Sequence, residues 1–87
     1  MRIDKYLKVA RIIKRREVAK ALAQEQRILL NGNYAKAHSE VEIGDIVTVI
    51  FGNRTVSFEI KDIKEQVSKQ EALSLYIIIE EKTNNEV

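Results

Sequence analysis

The chain has 87 residues, no Cys, one His, 15 Lys/Arg and 13 Asp/Glu, for a formal net charge of +2. That length holds one domain with a thin core, burying roughly 60–65% of the unfolded surface. The absence of Cys excludes disulfide staples and thiolate metal sites, and no apolar run reaches the roughly 18–20 residues of a membrane span.

"MRIDKYLK" has no apolar signal segment, so a cytoplasmic protein with no membrane contact is expected. The first predicted helix carries Ile3, Tyr6, Leu7, Ala10 and Ile13 at the spacing of one helical face. Lys5, Lys8 and Arg11 fall on the opposite side, and Tyr6 belongs to the core. A second helix shows an apolar stripe of Val18, Ala19, Leu22 and Ala23, with the break between helices near residues 13–15. After residue 27 the pattern becomes strand-like. "RILLNGNYAKA" is a hairpin signal around Asn31-Gly32, and "DIVTVIF" and "RTVSFEI" form a second hairpin across "GN". "SKQEAL" predicts a short helix and "LYIIIEE" a last strand, giving the order α-α-β-β-β-β-α-β. The domain is expected over residues 1–82, with a C-terminal extension from about 63 and a frayed tail at 83–87.

The charge is segregated. Residues 1–36 carry ten Lys/Arg and three Asp/Glu, while residues 37–87 carry five and ten. A basic surface built by the first half follows. Lys14, Arg15 and Arg16 are consecutive where the second helix begins, and that end of a helix is already positive and lacks acceptors for its N–H groups. Ser, Thr, Asp or Asn is the usual cap there. Three cations in that place suit an external phosphate, held by backbone N–H groups and Arg forks together. The alternative is neutralisation by Glu17 and nearby acids.

Catalytic chemistry has little to stand on. His38 has no second His or Cys to work with and reads as a surface or edge-strand residue. Glu80 and Glu81 are adjacent on a strand and face opposite ways, and no Gly-rich phosphate loop occurs. No enzyme activity and no cofactor are expected. Few aromatics are available for stacking on single-stranded bases, so shape and phosphate recognition of folded RNA fits better. Tyr34, just after the Asn-Gly turn, is left as either a solvated residue or a ligand contact.

Residues 2–49 resemble an S4-type RNA-binding domain. The resemblance rests on Arg2-Ile3-Asp4-Lys5-Tyr6-Leu7, on Arg16 with Ala19, on Leu30-Asn31-Gly32, and on Gly44-Asp45 before an apolar strand. Arg15 stands where S4 domains often have Ser or Thr, and Gln26 where many have Gly. The resemblance implies an α+β fold, with two N-terminal helices on a small, mainly antiparallel sheet. "IKRR" and "NGNYAKA" are similar to short stand-alone S4 members of bacterial ribosome-associated quality control. That likeness implies binding of obstructed large subunits through 23S ribosomal RNA and P-site tRNA. It also implies support for an RqcH-like partner that adds alanine tails to stalled chains. The expected RNA contacts are Arg2, Lys5, Lys8, Arg11, Lys14, Arg15, Arg16, Lys20, Asn33 and Lys36, with Asn33 at the turn tip. A monomer is expected. The competing readings are a ribosome-assembly factor or RNA chaperone on the same fold, the RNA-binding part of a modifying enzyme, and an adaptor using the acidic half. At this length no room for a catalytic domain is expected, which weighs against the modifying-enzyme reading.

Overall fold

The structure, a computed structural model, describes residues 1–83. Helix α1 spans Ile3–Val9 and α2 spans Arg16–Gln24. Strands β1 (Ile28–Leu30), β2 (Asn33–Tyr34), β3 (Ile46–Phe51) and β4 (Arg54–Ile60) follow, then α3 (Lys69–Ala72) and β5 (Tyr76–Thr83). The strands form one antiparallel sheet in the order β2-β1-β3-β4-β5. This is the α+β architecture and element order expected.

The core lies between the two helices and one face of the sheet. Ile3, Tyr6 and Leu7 of α1 are fully buried with Ile28, Val47, Val49, Phe58 and Ile60. The alternation along β4, with Val56, Phe58 and Ile60 inward, is the period of a half-covered sheet. Tyr6 stacks on Phe58 at 6.3 Å, and Tyr76 meets Phe58 edge-on at 5.5 Å. The Tyr6 hydroxyl donates to the Leu75 carbonyl at 2.8 Å. Residues 63–83 are built into the same domain. Leu75 enters the core, and β5 pairs along β4 from Tyr76 opposite Ile60 to Thr83 opposite Arg54. Thr83 thus belongs to the sheet and not to a frayed tail; residues 84–87 lie outside the described residues.

Both main helices end in the same way. Beyond α1, Arg11 has φ 59°, its N–H donates to Lys8 O, and the Ile12 N–H donates to Leu7 O. Beyond α2, Gln26 has φ 61°, its N–H donates to Ala23 O, and the Arg27 N–H donates to Leu22 O. These are Schellman caps, in which Gly is the usual residue at the left-handed position. Arg11 and Gln26 each accept about 1–2 kcal/mol of backbone strain instead. The α1 cap corrects two expectations. The helix stops at Val9, so Ile13 is buried from the connecting turn, and Arg11 sits past the helix end and not on its outer face. On α2, Ala19 and Ala23 are buried, but Val18 is 44% exposed and falls outside the stripe.

The first hairpin uses a two-residue loop. Asn31 and Gly32 both have positive φ, 51° and 86°, as the turn matching strand twist requires. Leu30 pairs with Asn33, so Asn33 opens β2 one residue past the turn tip where it was expected. The Asn31 side chain donates to Asp45 Oδ1 at 3.1 Å and accepts from the Ile46 N–H at 2.9 Å. Asn31 and Asp45 thus fasten the hairpin to the start of β3. Ser68 and Glu71 form a reciprocal capping box on α3.

Candidate nucleic-acid interface

α2 begins without an acceptor side chain. Its N-cap is Arg15, extended at φ −125°, and makes no side-chain cap bond. The acid that answers the junction is not Glu17. It is Asp4, fully buried in the first turn of α1. Asp4 Oδ1 accepts from the Lys5 N–H at 2.8 Å and from Arg16 Nη2 at 3.2 Å. Asp4 Oδ2 accepts from Arg2 Nη2 at 3.1 Å. Burial alone pushes the Asp4 carboxyl up. The Arg16 hydrogen bond and charge, the Lys5 N–H and the Arg2 charge outweigh it and hold the group below its ordinary value. Asp4 therefore stays ionised and ties α1 to the start of α2. Arg16 Nε is buried with no partner among the described residues.

The ten expected contact residues divide by their partners. Arg2 and Arg16 belong to Asp4. Lys5 pairs with Glu65, whose carboxyl is held low by the Lys5 hydrogen bond and charge. Among the described residues no acid pairs with Lys8, Lys14, Arg15, Lys20 or Lys36, all exposed. Arg11 is exposed and reaches only the Val67 carbonyl, at 3.4 Å. Asn33 is exposed on β2.

Two clefts gather these cations. Lys8, Arg11 and Lys14 line one of about 720 Å³, whose far wall is the 65–69 segment with Lys69. Lys20 and Lys36 line another of about 430 Å³, with Tyr34 between α2 and β2. Arg16 and Lys20 are one turn apart on α2, so the Asp4 group and the second cleft share a helix face. Two participants escaped sequence reasoning. Asp4 left a signal: it lies three residues before Leu7 on the apolar side of α1, where an acid needs a cationic partner. Lys69 left none, because only the tertiary fold brings it to α1. His38 is exposed in a turn and lines neither cleft.

The S4 domain family matches residues 1–47, which carry both helices, the first hairpin and the start of β3. A Bacillus subtilis protein named RQC P-site tRNA stabilizing factor is 48% identical over 82 residues, covering 94% of this chain and 95% of that protein. The Listeria monocytogenes protein of the same name is 44% identical over 86 residues, covering 99% and 94%. Among solved structures, the trimeric structure of Vibrio cholerae Heat Shock Protein 15 superposes with a TM-score of 0.83 at 33% identity, covering 90% of this chain and 80% of that one. With its helical pair, Asn-Gly hairpin and Gly-Asp turn all in place, the chain belongs to the S4 domain family.

Proposed function

We propose that this protein is an RNA-binding factor of ribosome-associated quality control. It binds obstructed large ribosomal subunits through 23S ribosomal RNA and P-site tRNA. There it supports alanine tailing of the stalled chain by an RqcH-like partner and catalyses no reaction itself. It works in the cytoplasm as a monomer. The name borne by the Bacillus and Listeria relatives supports the P-site tRNA part of this reading.

One observation carries the RNA reading. Eight exposed cations have no acid partner among the described residues, although the chain holds 13 Asp/Glu, and six of them, Lys8, Arg11, Lys14, Arg15, Lys20 and Lys36, lie in the first 36 residues. Phosphates are the natural counter-charge for such a surface. Arg2 and Arg16 remain partly exposed, at 45% and 35% of their side chains, so phosphate can still reach them from the side away from Asp4. Asp4 then preorganises the two guanidinium groups, which would otherwise repel each other.

Crosslinking in cells with sequencing of the bound RNA tests the proposal. Reads from 23S RNA together with many tRNAs are expected. Reads from precursor ribosomal RNA alone would replace quality control with ribosome assembly.

A further inference from the structure

The cleft between α2 and β2 is chemically unlike the rest of the basic surface. Tyr34, 63% exposed on a strand of two residues, lines it. Lys20 and Lys36 flank it, without acid partners among the described residues. Ala23 and Ala35, both nearly buried, line its floor, so a flat group can approach the backbone closely. Gln24, Gln26 and Ala37 complete the lining, and each Gln carries a carboxamide with a donor and an acceptor. Gln26 holds a left-handed conformation, φ 61°, which favours Gly. Such strain persists only where the surrounding structure holds it in place, and it tends to gather at ligand sites.

Phosphate alone would need only the lysines. An exposed aromatic face, two carboxamides and a floor of small side chains suit a planar ring with hydrogen-bonding edges. We propose that this cleft takes one unpaired nucleobase of the bound RNA. The base stacks on Tyr34, the Gln24 and Gln26 carboxamides meet its edge, and Lys20 and Lys36 hold the adjoining phosphates. A protein segment is the less suitable occupant, because the cleft's apolar lining is alanine apart from Tyr34 itself. This inference rests on reading the basic face as an RNA surface and adds base contact to phosphate contact.

The test uses two probes on the full chain: a short single-stranded oligoadenylate, and an oligomer of equal length and charge with abasic riboses. Binding is followed by NMR titration of the labelled protein, with the Tyr34 ring resonances as the local reporter. Stacking on one aromatic predicts that wild type favours the base-bearing oligomer by about tenfold or more. Tyr34→Phe should keep that preference. Tyr34→Leu should abolish it while leaving the salt-dependent affinity for both oligomers. Gln26→Gly should raise the thermal midpoint by relieving strain, yet lower the preference for the base-bearing oligomer. Equal binding of the two probes by wild type overturns the proposal, as does an unchanged preference in Tyr34→Leu or unmoved Tyr34 resonances. Wild-type sedimentation with large subunits separates the two readings. Subunit binding without base preference leaves the ribosomal role and removes the base site. Base preference without subunit binding does the reverse.

Discussion

The junction around Asp4 and the cleft around Tyr34 both look basic in sequence, and they are built in opposite ways. At the junction two guanidinium groups share one buried carboxylate, so half of their positive charge is met inside the molecule. At the cleft, Lys20 and Lys36 stand beside an exposed ring with no internal acid among the described residues. Counting basic residues therefore overstates the phosphate-facing charge of the first and not of the second. The junction should govern stability first and binding second. The cleft should govern binding alone.

The sharpest way to break this contrast is Asp4→Ala. It removes the carboxylate between Arg2 and Arg16 and leaves the Lys5 N–H without its acceptor. Breaking a fully buried pair costs about 3–5 kcal/mol, and because Arg2 and Arg16 are 45% and 35% exposed the loss here should fall at the low end of that range, still a large share of a small domain's stability. Urea unfolding should show a midpoint far below wild type; an unchanged midpoint would make the Asp4 group ornamental. The same group predicts an acid dependence. Because its folded value lies below its unfolded one, Asp4's contribution is complete above about pH 4. It is lost as pH falls through the folded value. Asp4→Asn should flatten that part of the urea-midpoint profile below about pH 4.

Arg16→Ala comes next, with a loss of about 1.5–3 kcal/mol in the same assay. The lower end is expected, because Arg2 and the Lys5 N–H still hold Asp4 and the Arg16 side chain is 35% exposed. Arg15→Ala, one residue earlier and without an acid partner among the described residues, should stay within about 0.5 kcal/mol of wild type. Equal stability losses at the two positions would erase the distinction. Smaller still is Tyr6→Phe, at about 0.5–1.5 kcal/mol. The Leu75 carbonyl keeps the Lys61 and Asp62 N–H groups as donors, so the low end applies. Large-subunit affinity should not change; a loss of binding with the fold intact would move the Tyr6 hydroxyl to the RNA site.

The sequence carried the fold well wherever local pattern decides it. Helical spacing placed Ile3, Tyr6 and Leu7 in the core, and the Asn-Gly pair located a turn that needs two positive φ values. It failed where an ending depends on an atypical residue. Ile13 prolongs the apolar spacing of α1, and Arg11 carries no mark of a left-handed cap, so the stop at Val9 was illegible. Val18 fits the period of α2 but stays 44% exposed. The candidate site was legible as charge and not as partnership. Arg16 finds Asp4 twelve residues away and Lys5 finds Glu65 sixty away, and spacing alone does not encode such pairings.

The central claim is that cations without an internal acid face RNA phosphates. Its most direct test is the salt dependence of large-subunit binding, measured for wild type and for the double variant Lys20→Gln, Lys36→Gln. Neutralising about five phosphates predicts a steep log–log slope of several units for wild type. The double variant should fold with wild-type stability and lose about two units of that slope. A flat wild-type response, or a double variant with the full slope, would contradict the account.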